Sequence, residues 1–143
     1  MGVTLHSLEE IFATAQIVSL HAPLLPEMAG FVTGAHLARL PTGATVIATV
    51  REGIVRQEQM IAVLQQRPDL HPMLDVTTPE PPPPGSPLCT LPNVTLMPRI
   101  AGTLGRERRR LGQMMDDELR RFVAGERPRH ELTRVQVERI ATP

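Results

Sequence analysis

The stretch QIVSLH, residues Gln16 to His21, is a compact apolar run that ends on a polar residue. This pattern is typical of a buried strand in a parallel sheet. A capping box that begins at Ser7 predicts a short helix over residues 8–14, immediately before the strand. Pro23 and Pro26 prevent a helix from starting directly after it. The stretch therefore predicts a strand that leads into a loop at its carboxyl end.

The same apolar pattern recurs along the rest of the chain. Further strands are predicted over residues 44–49, 73–76 and 94–97, with helices over 33–40 and 57–67 between them. This alternation predicts an α/β fold with a parallel sheet, in which ligands bind beyond the carboxyl ends of the strands.

The C-terminal part is predicted to be helical. A long helix over residues 103–124 ends at Gly125, and the helical spacing of its apolar residues predicts a packing face rather than a cofactor site. A polar turn follows, and then a short amphipathic helix that carries Val135 and Ile140.

A proline-rich segment over residues 79–92 is predicted to be an extended loop. Four consecutive prolines, Pro81 to Pro84, favour a rigid connection, because no arginine closely flanks them. A ligand for an SH3-type domain is the alternative interpretation of this run.

The charges of the 143-residue chain balance overall but not locally. Residues 1–98 hold four arginines against eight acidic residues, a net charge of −4, whereas residues 99–143 hold eleven against seven, a net charge of +4. Acidic residues interleave with the C-terminal arginines, which favours a solvated helix face over a partner surface. We therefore expect neither a nucleic acid nor a membrane as a partner, with nucleic-acid binding by residues 106–110 as a minor alternative.

Cys89 is the single cysteine, so the sequence predicts no disulfide framework and no metal site. There is no run of 18 apolar residues and no charged-then-apolar leader, which predicts a soluble cytoplasmic protein.

Four landmarks together carry a family resemblance: VSLHAPL at residues 18–24, ATVIATVREG at 44–53, LDVTTPEP at 74–81 and NVTLMPRIAG at 93–102. In this order they resemble the NAD-binding domain of the D-isomer-specific 2-hydroxyacid dehydrogenases, the phosphoglycerate dehydrogenase group among them. The resemblance runs from about residue 5 to about residue 131. It implies the second half of a Rossmann-like, doubly wound parallel sheet of about four strands with a long C-terminal helix.

The resemblance also implies roles for single residues. Arg51 matches the arginine that holds the carboxylate and keto oxygen of a 2-oxo acid, a task that suits a guanidinium fork. Glu80 matches the carboxylate that orients the catalytic histidine, and Asp75 matches the residue that binds the nicotinamide carboxamide. Without the resemblance, Arg51 and Glu80 would be interpreted as an exposed ion pair. The remaining residues implied to contact NAD or NADP are His21, Pro23, Thr49, Val50 and Gly102.

The chain departs from the family pattern within this implied site. Arg99 stands at the position of the catalytic histidine, and arginine cannot exchange a proton at any working pH. Glu52 replaces a glycine and adds negative charge beside Arg51, with which it could pair. Arg56, Met28 and the His71-Pro72 pair are further departures.

The sequence contains no G-x-G-x-x-G turn that could receive the pyrophosphate of a dinucleotide. Residues 1–125 are therefore predicted to be a partial dinucleotide-binding domain and residues 126–143 a C-terminal tail. The strand around Val18 is expected to have an open apolar edge, which favours a homodimer, a complementary N-terminal half or poor stability.

We interpret the chain as a truncated, degenerate D-2-hydroxyacid dehydrogenase that is inactive alone. The alternatives are one half of a split dehydrogenase, or a non-catalytic module that binds a nucleotide or a protein.

Overall fold

Four parallel strands form one sheet in the computed structural model, which describes residues 2–138. The strands are β1 (Ile17–Leu20), β2 (Thr45–Ala48), β3 (His71–Leu74) and β4 (Thr95–Leu96), and they lie in the order β1-β2-β3-β4. Every pair is parallel. The predicted α/β class and the predicted parallel sheet of about four strands are confirmed.

Three helices precede or connect these strands. They are α1 (Leu8–Thr14), α2 (Gly34–Ala38) and α3 (Gln57–Gln66). The predicted capping box at Ser7 is present: its side chain accepts from the Glu10 N–H, and the Glu10 carboxylate accepts from the Ser7 N–H. Short 3₁₀ turns lie at Pro26–Met28 and Pro87–Cys89, the second inside the proline-rich loop.

The core lies on one face of the sheet. Strand side chains alternate between the faces, and those of Val18, Val46 and Leu74 are buried. Right-handed crossovers place successive helices on the same face, where Phe12 of α1 and Leu64 of α3 join the core cluster. None of the strand residues on the opposite face is buried: Ile17, Ser19, Thr45, Ile47, His71, Met73 and Thr95.

Strand β3 begins two residues earlier than predicted, at His71 rather than Met73. The N–H groups of His71 and Asp75 donate to Ala44 and Ala48 of the β2 side. Because donors alternate along a strand, the nitrogen of Pro72 faces β4 instead. Strand β4 pairs with β3 only from Met73 onward. The absence of an N–H on Pro72 therefore costs the sheet no hydrogen bond between these strands.

The backbone divides into two compact units, the first ending at Arg99 and the second beginning at Ile100. The second unit contains α4 (Arg106–Val123) and α5 (Arg134–Glu138). Helix α4 is the predicted long helix, and Gly125 follows its end with a φ of 73°. Glu118 of α4 accepts from the backbone N–H of Arg129 at 2.9 Å, which ties the turn after the helix to it.

The apolar stripe of α4 is exposed. Leu111 is 44%, Met115 55%, Leu119 59% and Phe122 70% exposed, and α4 has no buried residue. The stripe was predicted to be a packing face, and it has no cover within its own unit. Val135 lies on α5, whereas Ile140 falls outside the described residues. None of the described helices combines the length and the apolarity needed to cross a bilayer.

Candidate functional site

The residues that follow the four strands come together at one edge of the sheet. Leu20 is in register with Ala48, Ala48 with Leu74, and Leu74 with Leu96. The next residues along the chain are therefore at one level: His21, Thr49, Asp75 and Met97. In a parallel sheet this edge is where ligands bind.

A guanidinium lies between two carboxylates at this edge. Arg99 Nη1 donates to Glu80 Oε2 at 2.5 Å, and it lies 3.6 Å from Glu52 Oε2. The three residues come from the loops after β4, β3 and β2 respectively. We call these three residues the Arg99 bridge. Glu52 therefore pairs with Arg99, whereas the sequence suggested Arg51 as its partner.

The surroundings of Arg99 favour its charged form. The hydrogen bond to Glu80 raises the pKa of Arg99, and the negative charges of Glu80, Glu52 and Asp75 act in the same direction. Arginine is already protonated throughout the working range of pH. Position 99 consequently carries a fixed positive charge and holds no exchangeable proton for catalysis.

The backbone at Arg99 is in the left-handed region, with a φ of 49°. It is the one residue other than glycine with a positive φ in the described chain. Side chains other than glycine adopt this region at a cost of about 1–3 kcal/mol, and such strain concentrates at functional sites. The Arg99 N–H donates to the carbonyl of Met97 at 3.1 Å, and the Arg99 bridge holds the side chain.

Arg51 is exposed and makes no hydrogen bond or ion pair with residues 2–138. Val50 before it is 7% exposed and belongs to the core. A small hollow of about 20 Å³ lies beside Arg51, lined in part by Gln57, Thr77 and Thr78. Its guanidinium is thus available to an anion.

Asp75 lies at the end of β3 and is 6% exposed. It lines a cavity of about 320 Å³ together with Thr77, Glu80, Leu96 and Met97. The cavity joins the ends of β3 and β4, so two of the carboxylates implied by the resemblance face the same space.

The other residues implied to contact the cofactor are arranged less closely. His21 Nε2 lies 2.7 Å from the Ser19 hydroxyl, and both side chains are exposed, as is Pro23. Thr49 is half-buried at the end of β2. Gly102 belongs to the second unit.

Gln57 and Arg56 make hydrogen bonds near the site that the sequence analysis does not predict. The Gln57 side chain makes two hydrogen bonds to the Thr78 backbone: its Oε1 accepts from the N–H at 2.7 Å, and its Nε2 donates to the carbonyl. Arg56 Nε donates to the Gly30 carbonyl at 3.1 Å. Together they tie the start of α3 to the loops after β1 and β3. Polar side chains at a helix start were the only sequence signal for these contacts.

Comparison with known proteins gives consistent results. Residues 1–101 match the sequence model described as D-isomer specific 2-hydroxyacid dehydrogenase, NAD binding domain. The glyoxylate reductase of Korarchaeum cryptofilum is 32% identical over 100% of this chain and 43% of its own length. The D-3-phosphoglycerate dehydrogenase of Mycobacterium tuberculosis is 29% identical over 88% of this chain and 24% of its own length.

Solved structures show the same architecture. The TT0316 protein from Thermus thermophilus superposes with a TM-score of 0.81 and 34% identity, covering 90% of this chain and 41% of that protein. The NAD-complexed D-isomer specific 2-hydroxyacid dehydrogenase from Lactobacillus delbrueckii ssp. bulgaricus gives 0.78 and 25% identity, covering 90% and 43%. The chain thus spans less than half the length of these relatives.

Proposed function

We infer that this chain carries an inherited substrate and cofactor site that no longer transfers hydride on its own. The inference starts from the family: the chain belongs to the D-isomer specific 2-hydroxyacid dehydrogenases through its NAD-binding domain. The observation that supports this proposal is the Arg99 bridge, in which a fixed charge occupies the position of the family's proton donor.

The family's reaction requires a proton as well as a hydride. NAD in its reduced form supplies the hydride, and the histidine supplies a proton to the keto oxygen of the 2-oxo acid. Arg99 could stabilise a developing alkoxide electrostatically but could not protonate it. Loss of a general acid typically lowers a rate by about 10²–10⁴-fold.

Other parts of the site retain their capacity to bind. Arg51 is exposed and unengaged by residues 2–138, so it could still hold a carboxylate. Asp75, which matches the residue that binds the nicotinamide carboxamide, shares one edge of the sheet with Thr49 and His21, which would lie along the cofactor. These residues fit parts of NAD or NADP, but the sequence holds no glycine turn for the pyrophosphate.

A turnover assay tests the proposal directly. The purified chain is mixed with NADH or NADPH and with glyoxylate or hydroxypyruvate, and the absorbance of the reduced nicotinamide is followed. We expect no decrease above the rate without protein. Steady oxidation that requires the 2-oxo acid, and that disappears in Arg51→Gln, would contradict the proposal.

A thermal melt tests cofactor binding separately. A ligand that binds only the native state raises the melting temperature. We expect the transition to ignore millimolar NADH, because the pyrophosphate has no receptor in this chain. A rise with NADH that is lost in Asp75→Asn would instead support a nucleotide-binding module.

A second candidate function is one half of a split dehydrogenase. Strand β1 is the first in the strand order, and within residues 2–138 it pairs with a strand, β2, on one side only. An edge strand of this kind favours pairing with a further strand, from a second copy or from a complementary N-terminal half. Size-exclusion chromatography with light scattering of the chain, alone and mixed with the N-terminal half of a relative's NAD-binding domain, separates the two cases. A monomer in both samples would contradict this candidate.

A further inference from the structure

We propose that Glu52 is a positioning residue for Arg99. The proposal extends the proposed function and rests on it only in taking position 99 as the family's acid/base position. Glu52 and Glu80 together hold the Arg99 guanidinium at the carboxyl ends of three strands.

The geometry supports a shared interaction. The same nitrogen, Arg99 Nη1, is 2.5 Å from Glu80 Oε2 and 3.6 Å from Glu52 Oε2. Glu80 therefore makes the hydrogen bond, and Glu52 contributes charge from the opposite loop. Arg51, the sequence neighbour of Glu52, takes no part in the bridge.

The charges of the cluster also favour this arrangement. Arg51 and Arg99 carry two positive charges, and Glu52, Asp75 and Glu80 carry three negative ones, a net charge of −1. Arg99 therefore lies in a cluster whose net charge is not positive, and Glu52 supplies one of its three carboxylates.

The side chains of this cluster are partly exposed: Arg99 and Glu52 are 41% and 45% accessible, and Glu80 is 31% accessible. Exposed ion pairs change an equilibrium constant by about 1.4–5-fold. A network in which one cation is shared is held more firmly than a single exposed pair. The expected energetic effect is therefore small but measurable.

Two double-mutant cycles that share one variant test the proposal. The first combines Glu52→Gln with Arg99→Gln, and the second combines Glu52→Gln with Arg51→Gln. We expect the first cycle to show a coupling of about 1.4–5-fold in the unfolding equilibrium constant and the second to show none. Coupling that appears only in the second cycle, or in neither, would overturn the proposal.

A spectroscopic measurement separates positioning from general stabilisation. The Nε–H resonance of Arg99 is identified by its absence in Arg99→Gln. We expect Glu52→Gln to shift it, and Glu52→Asp to restore most of the original position because a carboxylate remains. Glu58→Gln, which removes an exposed charge on α3, is the matched control and should leave the resonance unchanged. An identical resonance in Glu52→Gln and the control would contradict the proposal.

These outcomes are independent of turnover. Oxidation of NADH by the unmodified chain would contradict the proposed function but would leave the coupling between Glu52 and Arg99 intact. An absence of coupling would contradict the positioning role but would leave the proposed function standing.

Discussion

At the scale of single residues, the site is dominated by what surrounds position 99. A general acid must lose and regain a proton near the working pH. Arg99 instead makes a hydrogen bond with one carboxylate and lies close to a second. Position 99 thus holds a fixed ionic contact among three loops rather than a group that can exchange a proton.

We predict that Arg99→His restores no 2-oxo acid reduction in the isolated chain. The variant returns a group that could titrate, but Glu52 remains beside it and the pyrophosphate receptor is still missing from the sequence. The same NADH assay checks this. Arg99→Gln, which has no titratable group at position 99, is the inactive control. Activity in Arg99→His would show that the absent glycine turn matters less than we infer.

A second residue-scale prediction concerns Asp69 and acid stability. Arg67 donates to both Asp69 oxygens, at 2.8 and 2.7 Å, and these bonds hold the pKa of Asp69 well below its usual range. The folded chain therefore binds this proton more weakly than the unfolded chain does. The resulting stability is present above the unfolded pKa of about 3.9 and is lost as the pH falls through the lower folded value.

We accordingly expect Asp69→Asn to lower the melting temperature at neutral pH, and the difference from the unmodified chain to shrink below about pH 4. Asp117→Asn, on α4, removes an exposed carboxylate that accepts one hydrogen bond from Gln113 and serves as the control. A difference in melting temperature that stays constant from neutral to acid pH would argue against the ion pair as its cause.

The sequence predicted the site only in part. Family motifs predicted that positions 51, 75, 80 and 99 belong to one site, and the register of the strands brings the ends of β2, β3 and β4 to one edge. The partner of Glu52 could not be predicted, because it depends on how the loops after three strands approach one another. Sequence adjacency favoured Arg51, whereas the fold places Arg99 within reach.

At the scale of elements, the contact between α2 and α3 depends on a glycine. A Cβ at Gly34 would lie 3.0 Å from Gln59 Cβ and 3.1 Å from the Gln59 carbonyl oxygen. The Gly34 N–H also donates to Gln59 Oε1 at 3.0 Å. The two helices are therefore as close as their backbones allow.

We expect Gly34→Ala to destabilise the chain by about 1–3 kcal/mol, the usual cost of overpacking. A Cβ at Gly112 in α4 would meet no atom within 4 Å, so Gly112→Ala should stabilise the chain by about 0.5–1 kcal/mol through helix propensity. Urea unfolding of both variants measures this contrast, and equal effects would refute the close-contact explanation.

The end of α3 depends on Asn93. Its Nδ2 is 3.3, 3.2 and 3.1 Å from the carbonyl oxygens of Leu64, Arg67 and Leu70, and the side chain is buried. Its Oδ1 is buried and has no partner within the described residues. Asn93 thus supplies hydrogen-bond donors to a cluster of carbonyls at the end of the helix and the loop that follows.

We predict that Asn93→Ala costs about 1–3 kcal/mol, because buried carbonyls lose their donor. Asn93→Asp should be worse at neutral pH, since a carboxylate would face three carbonyl oxygens, and should recover as acid protonates it. Denaturation of both variants at neutral and acidic pH measures this. Equal losses for the two variants at both pH values would contradict the donor role.

The sequence predicts correctly those element boundaries that depend only on neighbouring residues. Helix α1 begins at the predicted residue because its capping box lies entirely within four residues. The sequence pattern predicts a start of β3 that is two residues too late, because whether Pro72 is tolerated depends on where β4 begins. That is a property of the assembled sheet, which sequence periodicity does not contain.

At the scale of the whole molecule, the first unit has a sheet with its three helices and its core on one side. The second unit has a long helix whose apolar stripe is open to solvent. The relatives of known structure are more than twice as long as the segment they share with this chain. The open surfaces are consistent with the proposal that another strand-bearing polypeptide completes the fold.

The location of the core on one face of the sheet has a thermodynamic consequence. The slope of the unfolding free energy against denaturant concentration and the heat-capacity change of unfolding both scale with the surface area that unfolding exposes to solvent. Side chains on the opposite face of the sheet are exposed or half-buried in the native state, so their release adds less to either quantity than the release of buried side chains. Urea titrations of this chain should therefore show a shallower slope than its length suggests, and a partner that covers the face should steepen it.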